Sequence, residues 1–244
     1  MLLRIAAAGA SYPIRVDPLV RQARLTASDG AEFDQLGGSA AISGRTIVVG
    51  VPSATLGSNV DQGAAYVFVR TGPAWADATQ TAKLTSSNGA SFDILGTSVA
   101  ISGDTIVAGT PGAAVDGGDQ GHGEADVFVK PASGWADGTQ TAQLSASDGV
   151  PEDSLGQSVA IDGNTIVAGA PAPPVTFTPH HGGAYVFVEP RSGWANGTQT
   201  AKLTASDGAE GDNFGFAISG GTIVVGAPFA SVSGNLFQGA AYVF

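Results

Sequence analysis

Cysteine is absent from this 244-residue chain, so it has no disulfide framework, no thiolate zinc site and no cysteine nucleophile. Positive charge is scarce. Ten lysines and arginines face 21 acidic residues, for a formal net charge of −11, and a chain so poor in cations cannot neutralise a run of phosphates. This argues against nucleic acid as a partner and disfavours an anionic membrane surface. No apolar run approaches the ~20 residues that span a bilayer, so no membrane insertion is expected. The opening MLLRIAAAGA is broken at Arg4 and reads as the first strand of a hairpin rather than as a secretion signal. GxSxG elbows, HExxH and glycine-rich phosphate loops are missing too, and no stretch sustains a 3.6-residue apolar period.

What is present is glycine, 36 residues without a collagen period, in a chain that is 43% apolar. That composition describes a globular chain dense in turns. The turns recur. LTAS at Leu25 returns as LTSS at Leu84, LSAS at Leu144 and LTAS at Leu203, with spacings of 59, 60 and 59 residues. Trp75, Trp135 and Trp194 keep the same beat, and so do GAAYVF from Gly63, GEADVF from Gly123, GGAYVF from Gly182 and GAAYVF from Gly239. The last spacing is 57 because FGFAIS from Phe214 is two residues shorter than LGTSVAIS from Leu95. Loss of two residues keeps a strand's facing, whereas loss of one would reverse it.

Each period divides into four predicted strands. SAAIS turns through Gly44-Arg45 into TIVVG, a loop leads to AYVFV, and a tryptophan-bearing loop leads to TAKLT. Four strands per repeat with glycine and aromatic markers is the signature of an all-β fold of β-propeller blades, four repeats of about 59 residues here, in which neighbouring sheets bury one another's faces. The pattern predicts a most-buried inner strand and a polar outer strand whose Lys83 and Lys202 guard an exposed rim.

Phe214-Gly215 with Gly226-Ala227-Pro228 resembles the FG-GAP repeat of integrin alpha-chain propellers and of bacterial surface and secreted proteins. Leu36-Gly37 with Gly50-Val51-Pro52, Leu95-Gly96 with Gly109-Thr110-Pro111, and Leu155-Gly156 with Gly169-Ala170-Pro171 are variants, most similar to the bacterial branch. The resemblance covers residues 25–244, with residues 1–24 an N-terminal β-hairpin or the end of a preceding β module. It implies an extracellular or cell-surface module. Integrin-type repeats carry an aspartate-rich calcium loop between the two elements, whereas this chain has only SGRT, SGDT, DGNT or SGGT there. No cofactor is therefore expected, and calcium at the family's position lacks its usual six to eight oxygen ligands. The family usually closes with seven blades. Four repeats form either a small ring closed by the outer strand near Leu25 or a piece of a longer propeller.

Candidate sites lie in the loops. Asp34, Asp93, Asp153 and Asp212 end the four loops that join one outer strand to the next inner strand. They read either as a ring of carboxylates for hard cations or a basic ligand, or as turn chemistry. The loops before AYVF vary in sequence, and in a propeller they share the acidic loops' face. Asp116, Asp119, His122, Phe177, His180, His181, Phe229 and Phe237 are their ligand-binding candidates. A metal reading of the histidines would need His180 or His181 to meet His122 across a blade boundary; solvated loop histidines are the alternative. The tryptophans read as inter-sheet packing rather than a sugar platform. Asp126 replaces tyrosine in the second AYVF element, which suggests tolerance at an edge as readily as chemistry. The expected function is adhesion or binding of a protein or glycan without catalysis. The alternatives are an enzymatic propeller and a structural spacer.

Overall fold

The computed structural model describes residues 21–114, 121–171, 182–215, 217–219 and 222–244, and every regular element among them is a β-strand. The strands form blade-like antiparallel sheets that follow one another along the chain. Ala40–Ser43, Thr46–Val51, Ala64–Val69 and Ala82–Thr85 build the first. Val99–Ser102, Thr105–Thr110, Glu124–Val129 and Ala142–Ser145 build the second. Ser158–Asp162, Thr165–Ala170, Gly183–Val188 and Ala201–Leu203 build the third, and Ala217–Ser219, Val224–Ala227 and Ala240–Val243 the fourth. The pairings Ser43↔Thr46, Ser102↔Thr105 and Asp162↔Thr165 leave two residues in each hairpin turn, so the segment that would hold a calcium loop is a tight turn here.

The two-residue deletion falls where the register argument put it. Ala217 lies opposite Gly226 as Ser158 lies opposite the equivalent Gly169. The fourth sheet's inner strand therefore slides by two positions and keeps its facing.

Burial departs from the expected gradient. The second and third strands are the buried ones, while the first sheet's inner strand alternates between exposed and half-buried. An inner strand has a neighbour on one side only, whereas the middle strands are covered at both edges and on both faces.

The outer strands of the first and second sheets are not free edges either. The tryptophan loop contains a fifth short strand that pairs in parallel with the preceding sheet, Gly138–Thr139 on Ala82–Thr85 and Gly197–Thr198 on Ala142–Ser145. Side chains fasten it. Asp137 Oδ1 accepts from the Lys83 amide at 2.7 Å and Gln140 Oε1 from the Ser87 amide at 2.8 Å. Asn196 and Gln199 repeat this on Gln143 and Ser147 at 2.9 Å each. Leu25–Thr26 occupies an outer-strand position and is bonded in the same way by Ala78–Thr79. It does not close the fourth sheet, whose described strand order ends at Ala240–Val243. Of the predicted N-terminal hairpin, residues 1–20 lie outside the described residues, and 21–24 form no strand.

Two glycines explain why the repeat's motif is a pair. Gly96 NH bonds Gly109 O at 2.9 Å within the second sheet, while Ser39 Oγ from the first sheet donates to Gly96 O at 2.8 Å. A Cβ on Gly50 would lie 1.9 Å from that same oxygen. The glycine of one sheet's Gly-x-Pro element is thus the surface on which the next sheet's Leu/Phe-Gly turn rests. Leu95, Leu155 and Phe214 plug the joint without solvent exposure. Trp135 packs with Leu84 and Val67 of the first sheet and Ile106 and Phe128 of the second. Trp194 fills the equivalent joint between the second and third sheets, so the inter-sheet reading of the tryptophans holds.

Candidate functional site

The two loop families meet at one end of the sheets. Phe92 NH donates to Val60 O at 2.9 Å, Ile94 NH to Asp61 O at 3.0 Å, and Leu95 NH to Gln62 O at 3.0 Å. Ser154 and Leu155 repeat this on Gly121 and His122. The shared face expected from the sequence therefore exists. Its aspartates point back into their own loops. Asp34, Asp93, Asp153 and Asp212 each turn Oδ2 back to the amide three residues earlier, at 2.7, 2.6, 2.9 and 2.8 Å. Asp93, Asp153 and Asp212 are buried, and burial pushes the Asp93 carboxyl up. Turn chemistry accounts for all four. Among the described residues no group of three or more histidine or acidic side chains gathers as a metal-binding set.

What this end displays is aromatic. Phe33 is 85% exposed and Phe92 56%. Both stand at φ 70°, a left-handed conformation that bulky side chains avoid; Glu152 holds it at φ 72° in the third loop, and glycine replaces them as Gly211. Phe229 and Phe237 pack edge to face at 6.1 Å, with Phe237 70% exposed and Leu236 beside it in the chain. Of the residues singled out in the sequence, the structure thus joins Phe229 to Phe237. His122 is half-buried and engaged through its carbonyl. Asp116, Asp119, Phe177, His180 and His181 lie outside the described residues.

A second feature sits between the loop end and the outer strands. Tyr66 Oη donates to Asp29 Oδ1 at 2.9 Å, and Lys83 Nζ meets Asp29 Oδ2 at 2.7 Å while lying 5.5 Å from the tyrosine ring centre. Lys83 holds the Asp29 carboxyl below its usual range; burial, then Asp29, pushes the Tyr66 phenol up. In the third sheet Lys202 meets Asp148 at 2.6 Å over Tyr185, and in the fourth Tyr242 donates to Asp207 at 3.0 Å. The brace ties each third strand to the turn before its blade.

In the second sheet the brace is replaced. Asp126 stands for tyrosine, Asn88 for aspartate and Gln143 for lysine, while Glu124 takes a position held by Ala64, Gly183 and Ala240 elsewhere. Asp126 is fully buried on a middle strand, paired with Ala108 on one side and Gln143 on the other, so tolerance at an edge is not the explanation. Thr110 Oγ1 donates to Asp126 Oδ2 at 3.1 Å, and among the described residues no donor meets Asp126 Oδ1 in hydrogen-bond geometry. Gln143 Nε2 donates to Asn88 Oδ1 at 2.6 Å and Glu124 Oε1 at 3.0 Å. Burial first, then the neighbouring carboxylates, pushes Glu124 up. Burial likewise outweighs the Thr110, Ser86 and Gln143 contacts at Asp126.

Comparison with known proteins agrees with the repeat. No curated protein matches the chain. Among solved structures, the crystal structure of the computationally designed Ika4 protein aligns over 92% of this chain and 97% of that one, with a TM-score of 0.47 and 14% identity. The family model described as the FG-GAP repeat matches four times, at residues 19–68, 78–128, 139–187 and 198–244. Each match begins within or before a short outer element and runs to the end of an AYVF-type strand, and together the matches cover most of the sequence. The chain belongs to the FG-GAP repeat family.

Proposed function

We propose that this repeat module is a non-catalytic binding module of the cell exterior, whose loop end engages a protein or glycan through projecting aromatic side chains. The observation that carries the reading is the display of Phe33 and Phe92, largely in solvent and in left-handed backbone that stability alone disfavours. Exposed apolar groups of this size mark contact surfaces when they cluster at one end of a molecule. Stacked sheets hold the loops rigid, which lowers the ordering cost of association. Aromatic anchors suit both a sugar ring's apolar face and a peptide surface.

A panel of immobilised glycans and extracellular-matrix proteins, probed with the intact chain and with Phe33→Ser/Phe92→Ser, tests this. Capture of the parent chain that falls at least tenfold in the variant, with unfolding unchanged or improved, supports it. Capture by no panel member, or capture indifferent to the substitutions, overturns it.

A further inference from the structure

The second repeat changes its brace at four positions at once, and together the changes have one chemical effect. In the first and third sheets an aspartate is balanced by a lysine, and a tyrosine ring fills the space beneath. In the second sheet the ring and the lysine are gone and two carboxyl groups, Glu124 and Asp126, enter. The third sheet shows what Glu124 displaces. A Cβ on Gly183 would sit 3.2 Å from Tyr185 Cε2 and 3.3 Å from Lys202 Cε, so a side chain longer than the alanine of the first sheet takes the room of the phenol and the lysine stem. Among the described residues no basic side chain bonds to the pair: its hydrogen-bonding neighbours are Thr110, Ser86, Asn88 and Gln143, and the Asp93 carboxyl stands near both.

We propose that this side-chain cluster of Glu124, Asp126, Thr110, Ser86, Asn88 and Gln143 binds a calcium ion. Asp126 is fully enclosed, yet among the described residues no donor meets its Oδ1 in hydrogen-bond geometry. A buried carboxyl pair is neutralised either by protons or by a coordinated cation. The hydroxyl, amide and carboxyl groups bonded together here offer oxygen atoms, a donor set that selects a hard cation. Carboxylates, amide carbonyls and hydroxyls of mixed geometry suit the six to eight flexible ligands of calcium better than the strict octahedron of magnesium. Two carboxylates set a modest affinity, in the range of roughly 10⁻⁴–10⁻³ M found in extracellular modules.

Asn88 is exposed and gives the ion a way in from solvent. Binding asks for rotation of the Gln143 amide so that its oxygen rather than its nitrogen faces Glu124 and Asn88, and for the Ser86 hydroxyl hydrogen to turn away from Asn88 Oδ1. The cluster lies on the third and outer strands, apart from the SGDT turn at 102–105 where an integrin-type loop would be. It stands independently of what the loop end binds.

Thermal unfolding of the intact chain in EDTA, and then with calcium, magnesium or potassium chloride, tests the assignment. Calcium at about ten times its dissociation constant raises the midpoint by about 3–6 °C. The near-isosteric Glu124→Gln/Asp126→Asn variant and Glu124→Ala/Asp126→Tyr, which restores the first repeat's residues at those positions, abolish that rise, and titration calorimetry reads one site per chain in the parent only. Absence of a calcium shift in the parent, or a shift that survives in a folded variant, overturns the proposal. So does an equal response to magnesium or potassium.

Discussion

Gly109→Ala is the sharpest perturbation of the joint between sheets. A Cβ at this position would lie 1.8 Å from Gly156 O, 2.7 Å from Gly156 C and 2.5 Å from Ser98 Oγ. Contact near van der Waals distance requires the Gly156 turn to retreat by about 1.5 Å, and overpacking of this kind costs about 1–3 kcal/mol. Retreat also breaks the Ser98 Oγ–Gly156 O bond, now 2.7 Å, and strains the Gly156 N–Gly169 O bond at 3.0 Å, adding about 1 kcal/mol for a bond lost. The sum of about 2–4 kcal/mol corresponds to a drop of about 4–16 °C in a chain of this size.

Urea and thermal unfolding followed by circular dichroism measure it. Gly103→Ala is the control: its φ is 58° with nothing within 4 Å, so it carries only left-handed strain, about 1–2 kcal/mol. Ser98→Ala supplies the second test, because the new methyl and the Ser98 hydroxyl compete for one space. The double variant Gly109→Ala/Ser98→Ala is expected to lose less than the sum of its parts. A Gly109→Ala no more destabilised than Gly103→Ala, or strict additivity with Ser98→Ala, would refute the close approach as the reason for the glycine.

Other expectations follow from the same geometry. Lys83→Gln lowers the thermal midpoint near neutral pH. Asp29's depressed carboxyl contributes stability above the unfolded aspartate value of about 3.9 and loses it as pH falls through its lower folded value, so the gap to the parent narrows in acid. A gap constant with pH sinks that account. Trp135→Ala costs about 3–5 kcal/mol in urea unfolding because the indole fills the inter-sheet core. Trp75→Ala, at a half-exposed position, costs clearly less; equal losses contradict the packing role. Phe33→Gly raises stability by about 0.5–1 kcal/mol by relieving left-handed strain, and unfolding that moves the other way shows the ring to be structural.

Much of the fold was legible because repetition averages out local ambiguity. The hairpin turns, the Gly50-type and Gly96-type glycines and the three long strands recur with constant spacing, and any single copy would have been an uncertain strand reading. The fifth strand was not legible. Gly138–Thr139 has two residues and no apolar alternation, and its partner lies in another period. The acidic cluster was half visible: Asp126 stood out, but its meaning depended on Asn88, Glu124 and Gln143, which differ from their repeat equivalents in the same direction. Aligning the repeats position by position exposes that covariation. Phe33 and Phe92 escaped notice because a phenylalanine in a repeat is ordinarily core. The hint was Gly211 at their position in the fourth loop, which signals a backbone conformation that only glycine adopts freely.

The fifth strand puts the period of the sequence out of step with the sheet. The first and second sheets are each assembled from two consecutive periods, one supplying the first strands and the next clamping the rim. An in-frame duplication of any window one period long, wherever its ends fall, therefore inserts a complete sheet with its hook and its catch already matched to both neighbours. Recombination need not respect a structural boundary to lengthen or shorten such a stack, and blade number becomes a quantity that unequal crossing-over can change in single steps.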